Sequence, residues 1–384
     1  MARIQLEGVT RQYDRVKAID KLSLDIADNE FFVLFGPAGA GKTTTLKCIA
    51  GVEFPQEGLV KIDGEIVNLV EPQDRNVSMV FENYALYPHL SVYDNMAFPL
   101  RSKLYKKSEA EIKEAIDKIS KLMKIDMLYE RKPSQLSNGQ RQRVAIGRCL
   151  VRTPNVFLMD EPLAHLDAKL KHTMRSELKE MQSAFNTTTI YVTHDYMEAM
   201  SLADRIAVLD KGKILQLGTA REMYYTPDSE FVAKLFGEPE INIVSADYSV
   251  SGGKGTVNAG NGITFDVPSD VKAAIDESGA KKLDIGVRGN DISFSFTGGE
   301  GWIPGTVFAF EPIGNKTIVT AQTGEMQFRI VAPNDIKASL DSAIWIKPNY
   351  DNILYFNGDS GKFITRHNKD DILNFHRKSA GGKN

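Results

Sequence analysis

The chain has 384 residues, of which 42% are hydrophobic and 25% are charged, and its formal net charge is -3. This composition is typical of a globular protein with two or three domains, and it excludes a disordered or collagen-like chain. The small negative charge and the lack of a dominant basic region argue against a general nucleic-acid-binding protein.

The amino-terminal residues 1–14 carry charges of both signs and lack the apolar core and the cleavage site of a signal peptide. Apolar runs such as residues 31–35 are far shorter than the ~20 residues that a membrane-spanning helix needs. We therefore expect a cytosolic chain that does not cross a bilayer. Cys48 and Cys149 are expected to be reduced and buried rather than joined in a disulfide.

Residues 1–236 alternate strand-like apolar runs with helical patterns, which is typical of an α/β domain with parallel strands. The strand-like runs include residues 31–35, 156–159 and 189–193. A mainly helical subdomain is predicted at about residues 91–152. The sequence thus predicts an α/β domain with an inserted helical segment.

The start of one helix in that segment is indicated by Ser108 and Glu111, which form a capping-box pair before an apolar periodicity. After residue 237 the pattern changes to short alternating strands separated by turn residues. Asn261-Gly262 and Asn357-Gly358 predict tight hairpins. A smaller, mostly β domain is therefore predicted at residues 237–384.

The segment after the strand at residues 31–35 matches the Walker A pattern in the strand–loop–helix context that the motif requires. Its glycines allow backbone N–H groups to surround phosphate oxygens, and the start of the following helix adds positive partial charge. Lys42 is predicted to reach the terminal phosphates, and the Thr43 hydroxyl to bind magnesium. A glycine-rich turn without a ligand is the alternative. The predicted nucleotide-binding residues here are Gly36, Pro37, Ala38, Gly39, Ala40, Gly41, Lys42, Thr43 and Thr44.

A second half of the same site is predicted at Asp160 and Glu161, which follow the apolar run at residues 156–159. In α/β sheets, ligands bind at the carboxyl ends of the strands. Asp160 fits the magnesium-organising Walker B position, and Glu161 is placed to activate the attacking water as a general base. Without the phosphate loop, the same pattern would be read as a strand meeting a helix cap.

Residues 136–140, Leu-Ser-Asn-Gly-Gln, resemble the signature sequence of the ABC ATPase family, usually written LSGGQ. Motifs in the order of that family extend over residues 3–236: Tyr13, Walker A, Glu82, the signature, Walker B, Leu166-Asp167 and His194. The resemblance implies a P-loop NTPase fold with an inserted helical subdomain. It also implies an enzyme that binds ATP and Mg²⁺ and hydrolyses the ATP.

The resemblance assigns further roles to single residues. It implies that Tyr13 stacks on adenine, although an ordinary strand-end aromatic is the alternative. His194 is implied to contact the γ-phosphate as the switch histidine. The signature donors lie at the start of a helix predicted at residues 141–150 and serve the ATP of the opposite subunit, so the working unit is a dimer. The implied cross-subunit contacts are Ser137, Gly139, Gln140 and the D-loop residue Asp167.

The carboxyl-terminal part resembles carbohydrate-importer ATPases, of the maltose and glycerol-3-phosphate type. Residues 218–224 and 231–237 are similar to the end of their ATPase domain, and residues 287–292 and 313–316 to their regulatory OB-like barrel. The resemblance implies an importer of a sugar, polyol or glycerol phosphate. Polyamine and ferric-ion importers are relatives of similar architecture.

The implied partners are two transmembrane permease subunits, a second ATPase subunit and an external solute-binding protein that acts through the permeases; no nucleic acid is implied. Residues 81–90 resemble the surface that receives a coupling helix of the permease, with an ordinary packed loop as the alternative. The implied location is peripheral, on the cytoplasmic face of a bacterial inner membrane. Two rival readings are a non-transport ABC ATPase and a binding module with a degenerate ATPase.

One position departs from the family pattern in charge. Glu82 stands where the family has the Q-loop glutamine, which touches magnesium and the attacking water. A carboxylate there can bind magnesium, and it also repels Asp160, Glu161 and the γ-phosphate. Asn138 in the signature is a milder departure. Either both are tolerated in an active homodimer, or the chain pairs with a more standard paralogue in a heterodimer.

Overall fold

The computed structural model describes residues 2–103 and 107–372, and only the backbone of residues 183–185. The chain divides into two compact units, Met1–Ala220 and Arg221–Asn384. In the described ranges, no helix is both long enough and apolar enough to span a membrane.

The described residues of the first unit form two sheets and six α-helices. Its strands are β1 (Ile4–Tyr13), β2 (Val16–Ile26), β3 (Phe31–Phe35), β4 (Glu57–Ile62), β5 (Glu65–Ile66), β6 (Val77–Val80), β7 (Val156–Asp160), β8 (Thr188–Thr193), β9 (Arg205–Asp210) and β10 (Lys213–Gly218). Its helices are α1 (Lys42–Ala50), α2 (Val92–Ala97), α3 (Glu109–Leu122), α4 (Asn138–Leu150), α5 (Ala168–Phe185) and α6 (Tyr196–Leu202). The α/β class is confirmed.

The central sheet has the order β10-β9-β3-β8-β7-β6. Strands β9, β3, β8, β7 and β6 are parallel, and β10 returns antiparallel to β9. Every residue of β3, β7 and β8 is buried, which explains the apolar sequence of β3 and of β7 up to Asp160. Strand β8 buries three threonines together with its apolar residues. The predicted strands therefore lie side by side, and their carboxyl ends share one edge. A second, antiparallel sheet has the order β2-β1-β4-β5.

Helix α1 starts directly from the glycine-rich loop. Gly41, with a φ of 103°, precedes its first residue, and Gly51, with a φ of 79°, ends it. The side chain of Arg75 donates hydrogen bonds to the last carbonyls, Cys48 O (2.9 Å) and Ile49 O (3.0 Å). A Cβ at Gly51 would lie 2.6 Å from the Arg75 guanidinium carbon, so glycine is required by both φ and space. The sequence predicted a helix over residues 44–50, and it begins two residues earlier, at Lys42.

The segment between β6 and β7 is mainly helical, as predicted, with α2, α3 and α4. The capping box of Ser108 and Glu111 is confirmed, and the helix that follows buries Ile112, Ile116 and Ile119. Helix α4 begins at Asn138, earlier than predicted, because Ser137 forms a second capping box with Gln140.

The cysteines behave as the sequence predicted. Both Cys48 and Cys149 are buried free thiols. Burial raises the pKa of each thiol to about 11, so both remain protonated and unreactive at neutral pH.

The second unit is rich in β-structure, as predicted, with two sheets in the orders β13-β12-β11-β14-β20-β21 and β15-β19-β16-β17-β18. Its strands are β11 (Asn242–Ser251), β12 (Lys254–Gly260), β13 (Ile263–Asp266), β14 (Lys282–Val287), β15 (Ile292–Ser295), β16 (Ile303–Pro312), β17 (Thr317–Thr323), β18 (Met326–Ala332), β19 (Ala343–Pro348), β20 (Leu354–Asn357) and β21 (Phe363–Arg366). Its helices are α7 (Ala220–Tyr225, which begins at the last residue of the first unit), α8 (Glu230–Leu235) and α9 (Ser269–Ser278). The sequence did not single out α9.

The two hairpin predictions had different outcomes. Asn261 and Gly262 both have positive φ (50° and 83°) and join β12 to β13 by a tight turn, as predicted. The tight hairpin at Asn357-Gly358 was wrong: Asn357 still belongs to β20, and residues 358–362 form the connection to β21. The Asn357 side chain accepts hydrogen bonds from the backbone N–H groups of Asp359 and Ser360, which stabilises this longer loop.

The segment between the ATPase-like motifs and β11 packs with the second unit. Arg288 donates to the backbone oxygens of Tyr224 and Phe236, and Ser229 pairs with Lys362 at a β-bridge. The sequence placed the boundary between residues 236 and 237. The compact units separate after Ala220, and Ala233 of α8 packs with Ile241, Leu354 and Phe356 of the second unit. The boundary of the ATPase domain at residue 236 stays a prediction.

This packing predicts how truncated chains behave. A chain of residues 1–220 is expected to unfold cooperatively and stay monomeric, whereas a chain of residues 1–236 exposes Val232, Ala233 and Phe236, which are fully buried in the full chain. Thermal unfolding followed by circular dichroism, with binding of an apolar dye, compares the two. Greater stability and lower dye binding of the longer chain would contradict the packing argument.

Candidate functional site

The glycine-rich loop between β3 and α1 is held by close backbone packing. Gly36 has a φ of 154° and Gly41 a φ of 103°, conformations that residues with a side chain rarely adopt. A Cβ at Gly36 would overlap Leu209 O, and one at Gly41 would overlap Ala18 O. Ala38 and Gly39 are exposed at the tip of the loop. The loop therefore forms a narrow backbone cradle at the start of a helix, open on one side.

The Lys42 side chain lies under this cradle and is 5% exposed. Its ammonium donates to Gly36 O (2.8 Å) and Pro37 O (3.0 Å), and it lies 3.7 Å from Glu161 Oε1. Burial lowers the pKa of Lys42, and the Glu161 carboxylate opposes that shift. A buried cation thus faces the loop, where phosphate oxygens can replace the carbonyl acceptors.

Thr43 and Asp160 meet across the sheet edge. The Thr43 hydroxyl donates to Asp160 Oδ1 at 2.8 Å, and Asp160 ends the buried strand β7. Burial raises the pKa of Asp160; the Thr43 hydrogen bond opposes this, and the carboxylates of Glu161 and Glu82 add to it. A hydroxyl and a carboxylate are the hard oxygen ligands that Mg²⁺ prefers, so this pair fits a magnesium ion.

Glu161 lies one residue further, next to His194. The distance between Glu161 Oε2 and His194 Nδ1 is 2.8 Å, and Glu161 N donates to Val192 O at 3.1 Å. Glu161 has a positive φ of 44°, which costs roughly 1–3 kcal/mol for a residue with a side chain. This conformation turns its carboxylate away from the strand, toward Lys42 and His194. The arrangement can hold a water molecule and accept its proton.

Glu82 lies beside His165, a residue of the predicted D-loop segment. Glu82 Oε1 is 3.7 Å from His165 Nε2, and both side chains are more than half exposed. Asn138 Nδ2 donates to His165 O at 3.5 Å. The two departures from the family pattern therefore both touch His165. His165 lies in the segment 163–167 that resembles the D-loop, but the sequence did not predict its contact with Glu82, because this contact joins loops that are far apart in the chain.

The signature residues Ser137, Gly139 and Gln140 form the first turn of α4. Ser137 is exposed and Gly139 is buried, where a Cβ would lie 2.5 Å from Leu170 Cδ2. The Asp167 side chain caps α5 by accepting from Leu170 N at 2.9 Å. The signature turn therefore lies next to the D-loop segment, and the start of α4 is exposed at Ser137.

Tyr13 lies at the end of β1 and is 38% exposed. The Arg11 guanidinium carbon lies 4.7 Å from the centre of its ring, and Arg11 is paired with Glu53 at 2.6 Å. One side of the ring is thus supported by a cation. This geometry leaves the ring available for stacking with a planar ligand.

Comparison with known proteins shows the family to which the chain belongs. The ABC transporter family model matches residues 19–164. The chain is 39% identical over 366 residues to the sn-glycerol-3-phosphate import ATP-binding protein UgpC of Salmonella typhimurium, a match that covers 95% of this chain and 100% of that protein. It is 42% identical over 325 residues to the xylose/arabinose import ATP-binding protein XacK of Haloferax volcanii, covering 83% of each chain.

A solved structure gives the same result for the fold. The dimeric, post-hydrolysis ATP-binding cassette MJ0796 bound to ADP and Pi is 30% identical, with a TM-score of 0.52, and the match covers 56% of this chain and 98% of that one. Because the phosphate loop, the paired carboxylates and the signature turn occur together in a chain aligned over nearly its full length, this chain belongs to the ABC transporter family as an ATP-binding subunit with ATPase activity.

Proposed function

We propose that this ATPase drives an importer for a sugar, a polyol or glycerol phosphate. The catalytic part of this proposal is supported by the positions of Lys42, Asp160 and Glu161, which lie together at one edge of the sheet. The transported solute is inferred from UgpC and XacK, which are importers by name and align over most of their lengths. The β-rich second unit favours an importer over a non-transport ABC ATPase, and polyamine or ferric-ion transport remains the alternative for the solute.

For hydrolysis, we assign each residue one task. Lys42 moves from the loop carbonyls to the β- and γ-phosphates of ATP, while Glu161 accepts the proton of the attacking water. His194, already 2.8 Å from Glu161, orients that carboxylate and contacts the γ-phosphate. Thr43 and Asp160 hold Mg²⁺, which neutralises phosphate charge when bound.

The signature turn is assigned to the nucleotide of a second ATPase subunit. The start of α4 faces outward and carries Ser137 and Gly139, whose donors suit phosphate oxygens. Asp167 caps the neighbouring helix α5 and lies at the same interface in this proposal. ATP would then be sandwiched between the loop of one subunit and the signature turn of the other, in a homodimer or in a heterodimer with a paralogue. Loss of the γ-phosphate removes the bridge and opens the dimer.

A groove in the first unit suits the two transmembrane permease subunits. This cavity of about 480 Å³ is lined by Met79, Phe81, Tyr87, Phe98 and Arg148, among others. Tyr87 and Phe98 are in ring contact at 4.6 Å, and Phe98 is 51% exposed, so an apolar helix could pack here. Tyr84 belongs to the segment 81–90 that the sequence predicted as the docking surface. It is buried and therefore packs beneath the groove.

This docking gives the subunit a peripheral position on the cytoplasmic face of a bacterial inner membrane. The external solute-binding protein would act through the permeases, without contact with this chain. In that arrangement the ATPase does not select the solute, and closure of the dimer supplies the work of transport.

Replacing Glu161 by Gln tests its role as the base. Glu161→Gln keeps the size of the side chain but removes the proton acceptor, so we expect ATP binding to persist and hydrolysis to fall about 10²–10⁴-fold. Phosphate release by the transporter assembled with its permeases measures the rate, and light scattering in ATP measures dimerisation. Glu180→Gln, at an exposed position of α5, is the matched control. Hydrolysis at the parental rate in Glu161→Gln would exclude Glu161 as the base.

Replacing Glu82 by Gln tests whether its charge slows the site. Glu82→Gln removes a carboxylate that acts on Asp160, so turnover in the assembled transporter is expected to rise several-fold. The heterodimer proposal further requires that the wild-type chain alone assembles poorly with its permeases. Glu130→Gln, exposed in the helical segment, serves as the control. A fully active complex that contains this ATPase alone, with turnover unchanged by Glu82→Gln, would refute the heterodimer.

A further inference from the structure

The second unit buries two arginines without carboxylate hydrogen-bond partners in the described part of the chain. Arg288 is 6% exposed and Arg366 is 4% exposed. Arg288 donates to the carbonyl oxygens of Tyr224 and Phe236, and Arg366 Nη2 donates to Asn352 Oδ1 at 3.3 Å. Burial lowers the pKa of both guanidinium groups, and the Asp291 carboxylate opposes that shift without a direct hydrogen bond to either of them. Their hydrogen-bonding capacity for an anion is therefore only partly used.

The neighbouring acid, Asp291, is engaged elsewhere. Its Oδ1 accepts from Asn352 Nδ2 at 2.6 Å, so the Asn352 amide stands between this carboxylate and Arg366. Arg366 Nε is buried and has no hydrogen-bond partner among the described residues. The guanidinium carbon lies 5.3 Å from the centre of the Tyr225 ring, over which Arg221 also lies, at 5.0 Å. Two cations therefore share one aromatic ring.

An open cavity of about 360 Å³ adjoins these cations. Its wall includes Arg221, Asn352, Arg366 and Asn368. Two exposed acids, Asp351 and Asp371, also line it. His367 also lines it, but its Nδ1 lies 2.9 Å from Asp270 Oδ1 and so already has an acceptor. This volume is at the lower end of the range for small-molecule sites. Arg221 Nε donates to Ile372 O at 2.6 Å, whereas Arg366 Nε has no partner among the described residues. The cavity thus combines two cations with amide and carboxylate groups.

The residues that the structure does not describe carry no acidic side chains. Residues 104–106 and 373–384 contain no Asp or Glu, and neither do residues 1 and 183–185. The carboxylates of Asp351 and Asp371 would repel a long polyanion but can accept hydrogen bonds from hydroxyl groups. The wall therefore favours a small ligand that carries one compact anionic group together with hydroxyls.

We propose that the cavity lined by Arg221 and Arg366 binds a small phosphomonoester of a polyol or sugar. The planar fork of a guanidinium matches phosphate oxygens in a bidentate geometry, and Asn352 and Asn368 can bind the hydroxyl groups. The site lies entirely within the second unit and is distinct from the phosphate loop in the first. It does not depend on which solute is transported.

Calorimetric titration of the full chain tests this site. The background carries Lys42→Ala, so that phosphate binding at the loop is weakened, and the probes are glycerol 3-phosphate, inorganic phosphate and glycerol. Glycerol 3-phosphate is expected to bind at one site, more tightly than inorganic phosphate, whereas glycerol gives no heat. Arg366→Met keeps the apolar stem and is expected to weaken binding roughly tenfold or more, since a hydrogen-bonded charge is lost.

Two further variants keep the test decisive. Lys282→Met removes a cation from the wall of another cavity of the same unit and is expected to leave the affinity unchanged. If Arg366→Met fails to fold, Arg221→Gln at the same cavity is expected to weaken binding. Undiminished binding in a folded arginine variant, or no binding of glycerol 3-phosphate at millimolar concentration, would overturn the site. Equal affinity for inorganic phosphate would overturn the phosphomonoester assignment.

Discussion

The proposed catalytic site depends on the hydrogen bonds of the Lys42 ammonium, which is buried near the carboxyl end of β3. Its acceptors, Gly36 O and Pro37 O, belong to the loop itself, and the nearby Glu161 carboxylate lies at 3.7 Å. A buried cation requires such partners, and they hold the loop in the shape of a phosphate cradle. The parallel sheet supplies the geometry, because the ends of β3, β7 and β8 lie side by side at one edge.

Much of this arrangement was predictable from local sequence. Strand β3 and residues 156–159 of β7 are continuous apolar runs, and the glycines at positions 36 and 41 are required by positive φ and close backbone contacts. The helix start marked by Ser108 and Glu111 was equally predictable, since a capping box is formed within four consecutive residues. In each case the determining interaction lies within a short stretch of chain.

Interactions between distant segments could not be predicted in this way. The support of α1 by Arg75, the contact of Glu82 with His165 and the packing of residues 221–236 with Arg288 all join segments far apart in sequence. The hairpin at Asn357-Gly358 failed for a related reason, because an Asn-Gly pair is compatible with both a tight turn and a side-chain-capped loop. The roles of Tyr13, Ser137 and Asp167 remain predictions, since they concern a nucleotide and a second subunit.

The buried arginines illustrate two solutions to the same physical problem. Arg75 donates to carbonyls at the end of a helix, where the unpaired backbone oxygens carry negative partial charge. Arg366 has a single amide oxygen as its hydrogen-bond acceptor in the described part of the chain, and its Nε remains unpaired there. The first arginine stabilises the end of α1, whereas the second is the basis for the ligand site proposed in the other unit.

We propose that the Lys42 ammonium exchanges its carbonyl acceptors for phosphate oxygens when ATP binds. The most direct test is a high-resolution structure of the Glu161→Gln variant with Mg²⁺ and ATP bound. We expect Lys42 Nζ to lie within about 3 Å of a phosphate oxygen and no longer to donate to Gly36 O and Pro37 O, with Thr43 and Asp160 on the magnesium side. Bound ATP with Lys42 still hydrogen-bonded to both loop carbonyls would contradict it.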